Sequence, residues 1–363
     1  MNTTQLLNAA MYPSGNDNIR RKSFPYFDTQ TIAAGQQEYF FFVTPLGNPF
    51  LRNKILPVSG SEVFFVKEIS MFVNTPINTP ALINSLNELL QQSYLQISVD
   101  NRVQCKLPGL DFIQYLLTLN EDATPELLVE QVTNIKRVLP VPILLNSTSN
   151  FEFKFVTTAA AATAFDTINI RLVLHGIQLD KLETGFYNAL KGNQFQDVTA
   201  TYYNTVAIPN GNEQVFQFFA NANQAQNLFS KTFPLSAIET MQIQNIEVFI
   251  NQPDVPIVAN TIYRNRLQDN LIITVDDIQY YNSNLQDMLS VVAGFAGNIT
   301  DSAAATVAYN QFLNVRQSKT LDIPLNIPAQ SNVSISLRQP AASLGITGEI
   351  TVALRGVETR RVA

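Results

Sequence analysis

Hydrophobic and polar residues alternate through most of this chain, and the alternation is written twice. Val58–Asn74, VSGSEVFFVKEISMFVN, lies without a gap over Leu235–Asn251, LSAIETMQIQNIEVFIN, at a constant offset of 177 residues. Ser59, Glu62, Ile69, Phe72 and Asn74 recur as Ser236, Glu239, Ile246, Phe249 and Asn251. Alternation places successive side chains on opposite faces, which predicts strands. In both copies the phase holds to Val66 or Ile243, slips one step, and resumes at Ile69 or Ile246. A slip at the same place predicts a shared β-bulge.

The flanking segments repeat in the same order. Thr31–Val43 corresponds to Thr205–Phe219, each with a Thr-led start, a Gly-containing turn and an aromatic strand. Leu95–Asn101, LQISVDN, recurs as Leu271–Asp277, LIITVDD, with Asp100 and Asp276 placed to start a turn. Leu139–Phe155 recurs as Leu321–Leu337, with Ser149-Asn150 and Ser331-Asn332 as tight turns. Ile168–Gln178 recurs as Glu349–Glu358, with Gly176 on Gly356. Helical spacing predicts a helix over Thr79–Gln92, with a weaker counterpart at Pro256–Gln268, and a short capped helix over Thr124–Val132. The variable inserts, including the Ala- and Gly-rich Leu289–Phe312, read as surface loops.

About eight strands per half, separated by turns, predict an all-β fold of two tandem jelly-roll barrels with short helices in the loops. The boundaries read as an N-terminal arm over 1–28, with a capped start at Gln5–Ala10, a first barrel over 29–178, a linker over 179–203 and a second barrel over 204–363. The barrels are expected side by side through the same face.

Composition narrows the function. Hydrophobic residues make up 46% of the 363 and charged residues only 14%, against the usual quarter. Asn, Gln, Thr and Ser supply the remaining polarity, and so sparsely charged a surface is expected to be covered by neighbours. A net charge of −6 argues against general nucleic-acid binding. The single cysteine, Cys105, forbids an internal disulfide and reads as a packed thiol in a reducing compartment. No apolar run approaches a membrane span and no signal peptide opens the chain. The N-X-S/T matches at Asn146, Asn298 and Asn332 read as accidental.

Catalytic chemistry finds few residues. His175 is the only histidine, so a clustered-histidine metal centre is out of reach, and a nucleophilic triad would have to pass through that one residue. Asp276 and Asp277 are adjacent on a strand end, where neighbours face opposite ways, so turn chemistry fits them better than a glycosidase pair. Tryptophan is absent, which removes the commonest sugar platform. The basic residues gather at the termini, as Arg20, Arg21 and Lys22, and as Arg355, Arg360 and Arg361. They could meet an anionic surface or stand as solvated tails.

Tandem jelly rolls, loop helices, no catalytic set and a sparsely charged surface together resemble the double jelly-roll major capsid proteins of the adenovirus-type lineage, and the compact loops resemble its smaller members from tailless, lipid-containing bacteriophages. The resemblance rests on architecture over residues 29–363. It implies a structural, non-enzymatic protein with no cofactor, assembled in the host cytoplasm into the virion capsid. It implies a homotrimeric, pseudo-hexagonal capsomer that contacts neighbouring capsomers and minor capsid proteins. The arm and Arg20, Arg21, Lys22, Arg360 and Arg361 would lie at an inner base, toward a lipid membrane or the packaged genome, without specific nucleic-acid recognition. The insert near 282–314 would form a tower or inter-subunit loop. Two other readings remain: a secreted double jelly-roll carbohydrate-binding protein or hydrolase, and a minor vertex or spike protein.

Overall fold

The computed structural model describes residues 20–23, 25–43, 62–73, 89–90, 92–112, 114–118, 128–132, 136–146, 149–158, 167–180, 195–208, 215–220, 233–252, 269–296, 312–339 and 348–361. The helices expected at 5–10 and 256–268 lie outside these residues. So does most of the helix expected at 79–92, of which Leu89 and Leu90 are helical and buried.

In the first half the strands are β1 (Arg20–Ser23), β2 (Tyr26–Ala33), β3 (Glu38–Phe41), β4 (Glu62–Val73), β5 (Ser93–Val99), β6 (Arg102–Pro108), β7 (Gln114–Thr118), β8 (Leu128–Val132), β9 (Arg137–Asn146), β10 (Phe151–Thr157) and β11 (Thr167–Asp180). In the second they are β12 (Phe195–Ile208), β13 (Val215–Phe218), β14 (Glu239–Gln252), β15 (Asn270–Val275), β16 (Ile278–Asn284), β17 (Leu289–Ala296), β18 (Phe312–Ile327), β19 (Val333–Arg338) and β20 (Gly348–Arg361).

Each half folds into two facing antiparallel sheets. In the first half β1 and β2 lie end to end along one edge of β11, β4 and then β9 follow on its other side, and the opposing sheet runs β3-β10-β5-β6. In the second half the orders are β12-β20-β14-β18-β17 and β13-β19-β15-β16. Numbered within a half, the eight common strands run 1-8-3-6 in one sheet and 2-7-4-5 in the other. This is the jelly-roll order, so the chain is a double jelly roll.

The alternation in sequence is the alternation of burial. In β15 every second residue is buried, and Leu271, Ile273 and Val275 face the core. One apolar cluster fills each barrel. Phe64, Ile97, Phe153 and Leu172 belong to the first, and Ile243, Ile273, Ile335 and Val352 to the second.

The repeat extends to irregular backbone. Lys67 and Gln244 are the extra residues of two bulges, where β4 and β14 break register opposite Gly176 and Gly356. A Cβ at either glycine would stand 1.9 Å from the Phe65 oxygen or 1.8 Å from the Gln242 oxygen, so only glycine fits. Asp100-Asn101 and Asp276-Asp277 all adopt positive φ, as the tight turn requires. Each first aspartate accepts a backbone hydrogen bond from the neighbouring turn, Asn150 N to Asp100 Oδ1 at 2.9 Å and Asn332 N to Asp276 Oδ1 at 2.8 Å. The adjacent acids are turn residues.

Several expectations are corrected. Strand pairing starts earlier than the repeat in sequence suggested. Arg20–Ser23 and Tyr26–Asp28 pair with β11, just as Phe195–Asn204 pair with β20. Residues 20–23 and 26–28, read as arm, and 195–203, read as linker, are therefore sheet. Register places Thr29, rather than Thr31, on Thr205. Tyr26 recurs as Tyr202, but the charged run before it shares no residue with its counterpart, which hid the match. Leu128–Val132 is a strand paired with β7, where a helix was expected. Its two valines suit an extended chain. Leu289–Ala296 extends the second barrel's sheet beside β18, where a loop was expected. His175 lies within β11 at the bulge.

Candidate functional site

The barrels lie side by side, but through unlike surfaces. The outer face of β12 and β20 packs against the edge of the first barrel made by β6 and β9, β14 reaches the same edge through Glu247, and β17 of the second barrel meets β7 of the first. Apolar contact supplies the middle of this seam. Tyr203, Phe249 and Ala353, on the outward face of the second barrel, join the first barrel's core cluster and are 2%, 1% and 0% exposed.

Four charged side chains from both barrels meet inside the seam. Asp111 follows β6 in a short 3-10 turn, Gly109–Asp111, and Arg137 begins β9. Glu247 and Arg355 come from β14 and β20. Arg355 Nε donates to Glu247 Oε2 at 2.7 Å, and its Nη1 donates to Asp111 Oδ2 at 2.6 Å. Its Nη2 contacts both carboxylates. Arg137 donates from Nε to the Asp111 carbonyl at 2.7 Å and lies 3.5 Å from Glu247. The formal charges cancel, which is what burial demands, because an unpaired buried charge is costly. Burial pulls the Arg137 guanidinium down to about 9, with Asp111 opposing and Arg355 reinforcing the shift.

Neutral hydrogen bonds extend the seam toward one end. Thr199 Oγ1 bridges the Val141 amide and carbonyl at 3.2 Å each. Gln196 donates to Gln104 at 3.1 Å, and Arg360 Nη1 donates to the Val103 carbonyl at 3.2 Å. A cleft of 590 Å³ opens here between Pro140, Val141, Gln242 and Asn326. Asp197 is the one carboxylate lining it among the described residues, and Thr359 donates to it at 2.7 Å.

The residues singled out in the sequence fall into two groups. Arg20, Arg21 and Lys22 form β1, whose backbone pairs with Gln178–Asp180, where β11 ends. Arg360 and Arg361 end β20, the equivalent strand. Arg360 is held by Glu358 at 2.7 Å and by the first barrel, while Arg361 is exposed. His175 meets the buried Ser70 hydroxyl through Nε2 at 3.1 Å. Burial, then Lys136, pulls its pKa below 6.5, with Glu68 opposing. Cys105 is buried, and burial pushes its thiol up to about 12. Among the described residues no cluster of three His, Cys, Asp or Glu could hold a metal, and no helix is long and apolar enough to cross a membrane.

The charged quartet escaped sequence reading. Its members are 244 residues apart at the extreme, Asp111 to Arg355, and only the seam joins them. One signal was available: Arg355 and Glu247 stand where the first half has His175 and Ser70, a charged pair on a strand face where its repeat is neutral.

No family model matches the chain, and no curated protein matches it. Among solved structures it is similar to the crystal structure of PBCV-1 VP54 fitted into a reconstruction of the virophage Sputnik, at 10% identity over 97% of this chain and 96% of that one, with a TM-score of 0.44. It is similar to the STIV MCP at 9% identity over 94% and 96% of the two chains, TM-score 0.39. The Faustovirus major capsid protein follows at 7% identity over 97% and 87%, TM-score 0.28. The fold rests on strand order, and the site on its contacts.

Proposed function

We propose that this chain is the main building block of an icosahedral viral shell, acting by assembly and not by turnover. The observation that carries the reading is the fusion of two barrels of identical strand order through unlike surfaces. A contact between unlike surfaces can be continued by further copies, whereas a contact between like surfaces closes on itself. Two similar barrels per chain let a trimer present six near-equivalent units, which suits a position with six neighbours. Sparse charge and abundant amide and hydroxyl side chains suit wide, hydrogen-bonded contacts between such units.

In this reading the chain forms homotrimers that meet neighbouring capsomers and minor shell proteins. The end carrying Arg20–Lys22 and Arg360–Arg361 faces inward, toward anionic lipid or packaged genome. Strand direction supports one common base. β1 begins, and β11 and β20 end, at the end of each barrel that holds the tight turns at 100–101 and 276–277. The bonds from Gln196 and Arg360 to Gln104 and Val103 bring the two bases together. β4, β6 and β17 end, and β5, β9 and β18 begin, at the opposite, outward end.

Light scattering on a sizing column tests the reading, with electron microscopy of the peak. The expected species is a trimer of 40.4 kDa chains, about 121 kDa, with a hexagonal outline. A stable monomer at all concentrations overturns it.

A further inference from the structure

We infer that Arg137 and Arg355 set the angle and register at which the two barrels of one chain meet, and that the buried quartet they complete is a positioning device kept at some expense of stability. The inference goes beyond the shell reading and does not rest on it, because it concerns contacts within a single chain.

The seam gains its stability from other groups. Val141 is 6% exposed there, while Ile323, its repeat in the second barrel, is 85% exposed. With Tyr203, Phe249 and Ala353 this makes an apolar contact, and apolar burial has no preferred direction. The neutral bonds discriminate little either. Thr199 holds the backbone amide and carbonyl of Val141. Backbone groups on one side of a strand recur every two residues, so a slide of β9 would offer Thr199 the same pair from Leu139 or Ile143. Gln196 and Gln104 meet through amides on flexible stems.

The quartet behaves differently, because each arginine is shared between barrels. Arg355 donates from Nε to Glu247 of its own barrel at 2.7 Å and from Nη1 to Asp111 of the other at 2.6 Å. Arg137 donates from Nε to the Asp111 carbonyl of its own barrel at 2.7 Å and from Nη1 to Glu247 of the other at 3.5 Å. The bridge is therefore reciprocal. A guanidinium carries its donors in a rigid planar fork, so two of them fix direction as well as separation. Sliding the strands by two residues, about 7 Å, would part both arginines from the opposite carboxylates. Such a slide is opposed by the large cost of an unpaired buried charge.

Stability alone does not call for this arrangement. The side chains of Asp111 and Glu247 are 0% and 2% exposed, and those of Arg137 and Arg355 are 12% and 13% exposed. Taking four charges so far from water offsets much of their mutual attraction. Arg137 Nη2 and the Tyr203 hydroxyl, both buried, have no hydrogen-bond partner among the described residues, which adds to the cost. In the first barrel the positions of Glu247 and Arg355 hold Ser70 and His175, so the strands themselves do not require charge. The ions stand where the second barrel must be aligned on the first.

Two variants test this. Ala34 and Ala237 are exposed turn residues, one in each barrel, and nitroxide labels on Ala34→Cys and Ala237→Cys report the distance between barrels. Cys105 is buried and escapes labelling. Labelled chain is diluted with excess unlabelled chain, so that distances within one chain dominate. The parent should give one narrow distance distribution, and a broad one would overturn the inference. Arg137→Lys with Arg355→Lys keeps every formal charge but loses both forks. It should keep the far-UV spectrum of the parent while the distribution broadens or splits, and a distribution as narrow as the parent's would overturn the inference. Asp111→Leu, Arg137→Met, Glu247→Met and Arg355→Met together make the seam apolar. The expected result is an unfolding midpoint at or above the parent's with a broadened distribution. A much lower midpoint, or loss of fold in either variant, would mean that the quartet chiefly holds the chain together, and would overturn the positioning role. Light scattering on the parent is independent of all these outcomes, so the shell reading stands or falls separately.

Discussion

The same four positions in the two barrels carry opposite electrostatics. In the first barrel the charges sit at the rim, with Lys136 at 3.8 Å from Glu68, and the inner pair, Ser70 and His175, is neutral. In the second barrel the rim pair is neutral, with Asn245 donating to Ser318 at 3.2 Å, and the inner pair, Glu247 and Arg355, is ionised. Backbone, bulge and glycine are shared, so the fold does not cause the difference. What differs is the neighbour. The second barrel's face is covered by Asp111 and Arg137, which balance an ionised pair inside the seam. The first barrel's face is open, and ionised groups there stay near water. A repeated scaffold can therefore cover one face and leave its copy open by exchanging a few side chains.

The largest effect expected from breaking this contrast is at Arg355. Arg355→Ala leaves Asp111 and Glu247 buried with one guanidinium between them, and should cost about 3–5 kcal/mol of stability. Denaturant unfolding should show the loss, whereas His175→Ala in the equivalent position should change the midpoint little. Equal effects at the two positions would erase the distinction drawn here.

The bulge tests what the barrels share. Gly176→Ala and Gly356→Ala each push a methyl group into a carbonyl oxygen, and each should cost about 2–4 kcal/mol. The expected result is similarity between the two variants, read from unfolding midpoints. A large gap would mean that the bulges are not equivalent.

The twin turns come next. Asp100→Ala and Asp276→Ala remove the carboxylate that accepts from Asn150 or Asn332 and leave alanine at positive φ. Each should lose about 1–2 kcal/mol, checked by thermal melting of the single and double variants. The losses should add, because the turns belong to different barrels.

The smallest effect concerns pH. His175 has a folded pKa below its ordinary value, so the unfolded chain binds more protons as pH falls through 6.5. That site then loses stability on acidification and contributes none of this loss above that range. His175→Asn should flatten the acid side of the melting profile slightly. Ser70, Glu68 and Lys136 are the polar groups facing the ring, and a steeper acid limb in the variant would contradict this assignment.

Much of the fold was legible because alternation is a local property. The period of two in Glu62–Val73, its slip at Lys67 and the paired Gly176 and Gly356 each report backbone geometry within a few residues. Asp100 and Asp276 declared their turns for the same reason. Boundaries were less legible where side chains had diverged. Arg20–Ser23 shares backbone pairing with Gln196–Thr199 but no residue type, so strand looked like arm. Leu128–Val132 carried a capping signal upstream and folds as a strand, because pairing with β7 outweighs a weak local preference.

The sequence by itself determined two all-β repeats, their bulges and turns, the absence of a clustered-histidine centre and the sparse charge that calls for neighbours. All of these follow from residue type and spacing. Only the tertiary structure decided that the barrels meet face to edge. It alone joined Asp111, Arg137, Glu247 and Arg355, and it alone left Ile323 in water where Val141 is covered. Those outcomes depend on which surfaces lie against each other across more than a hundred residues, and no local pattern encodes that.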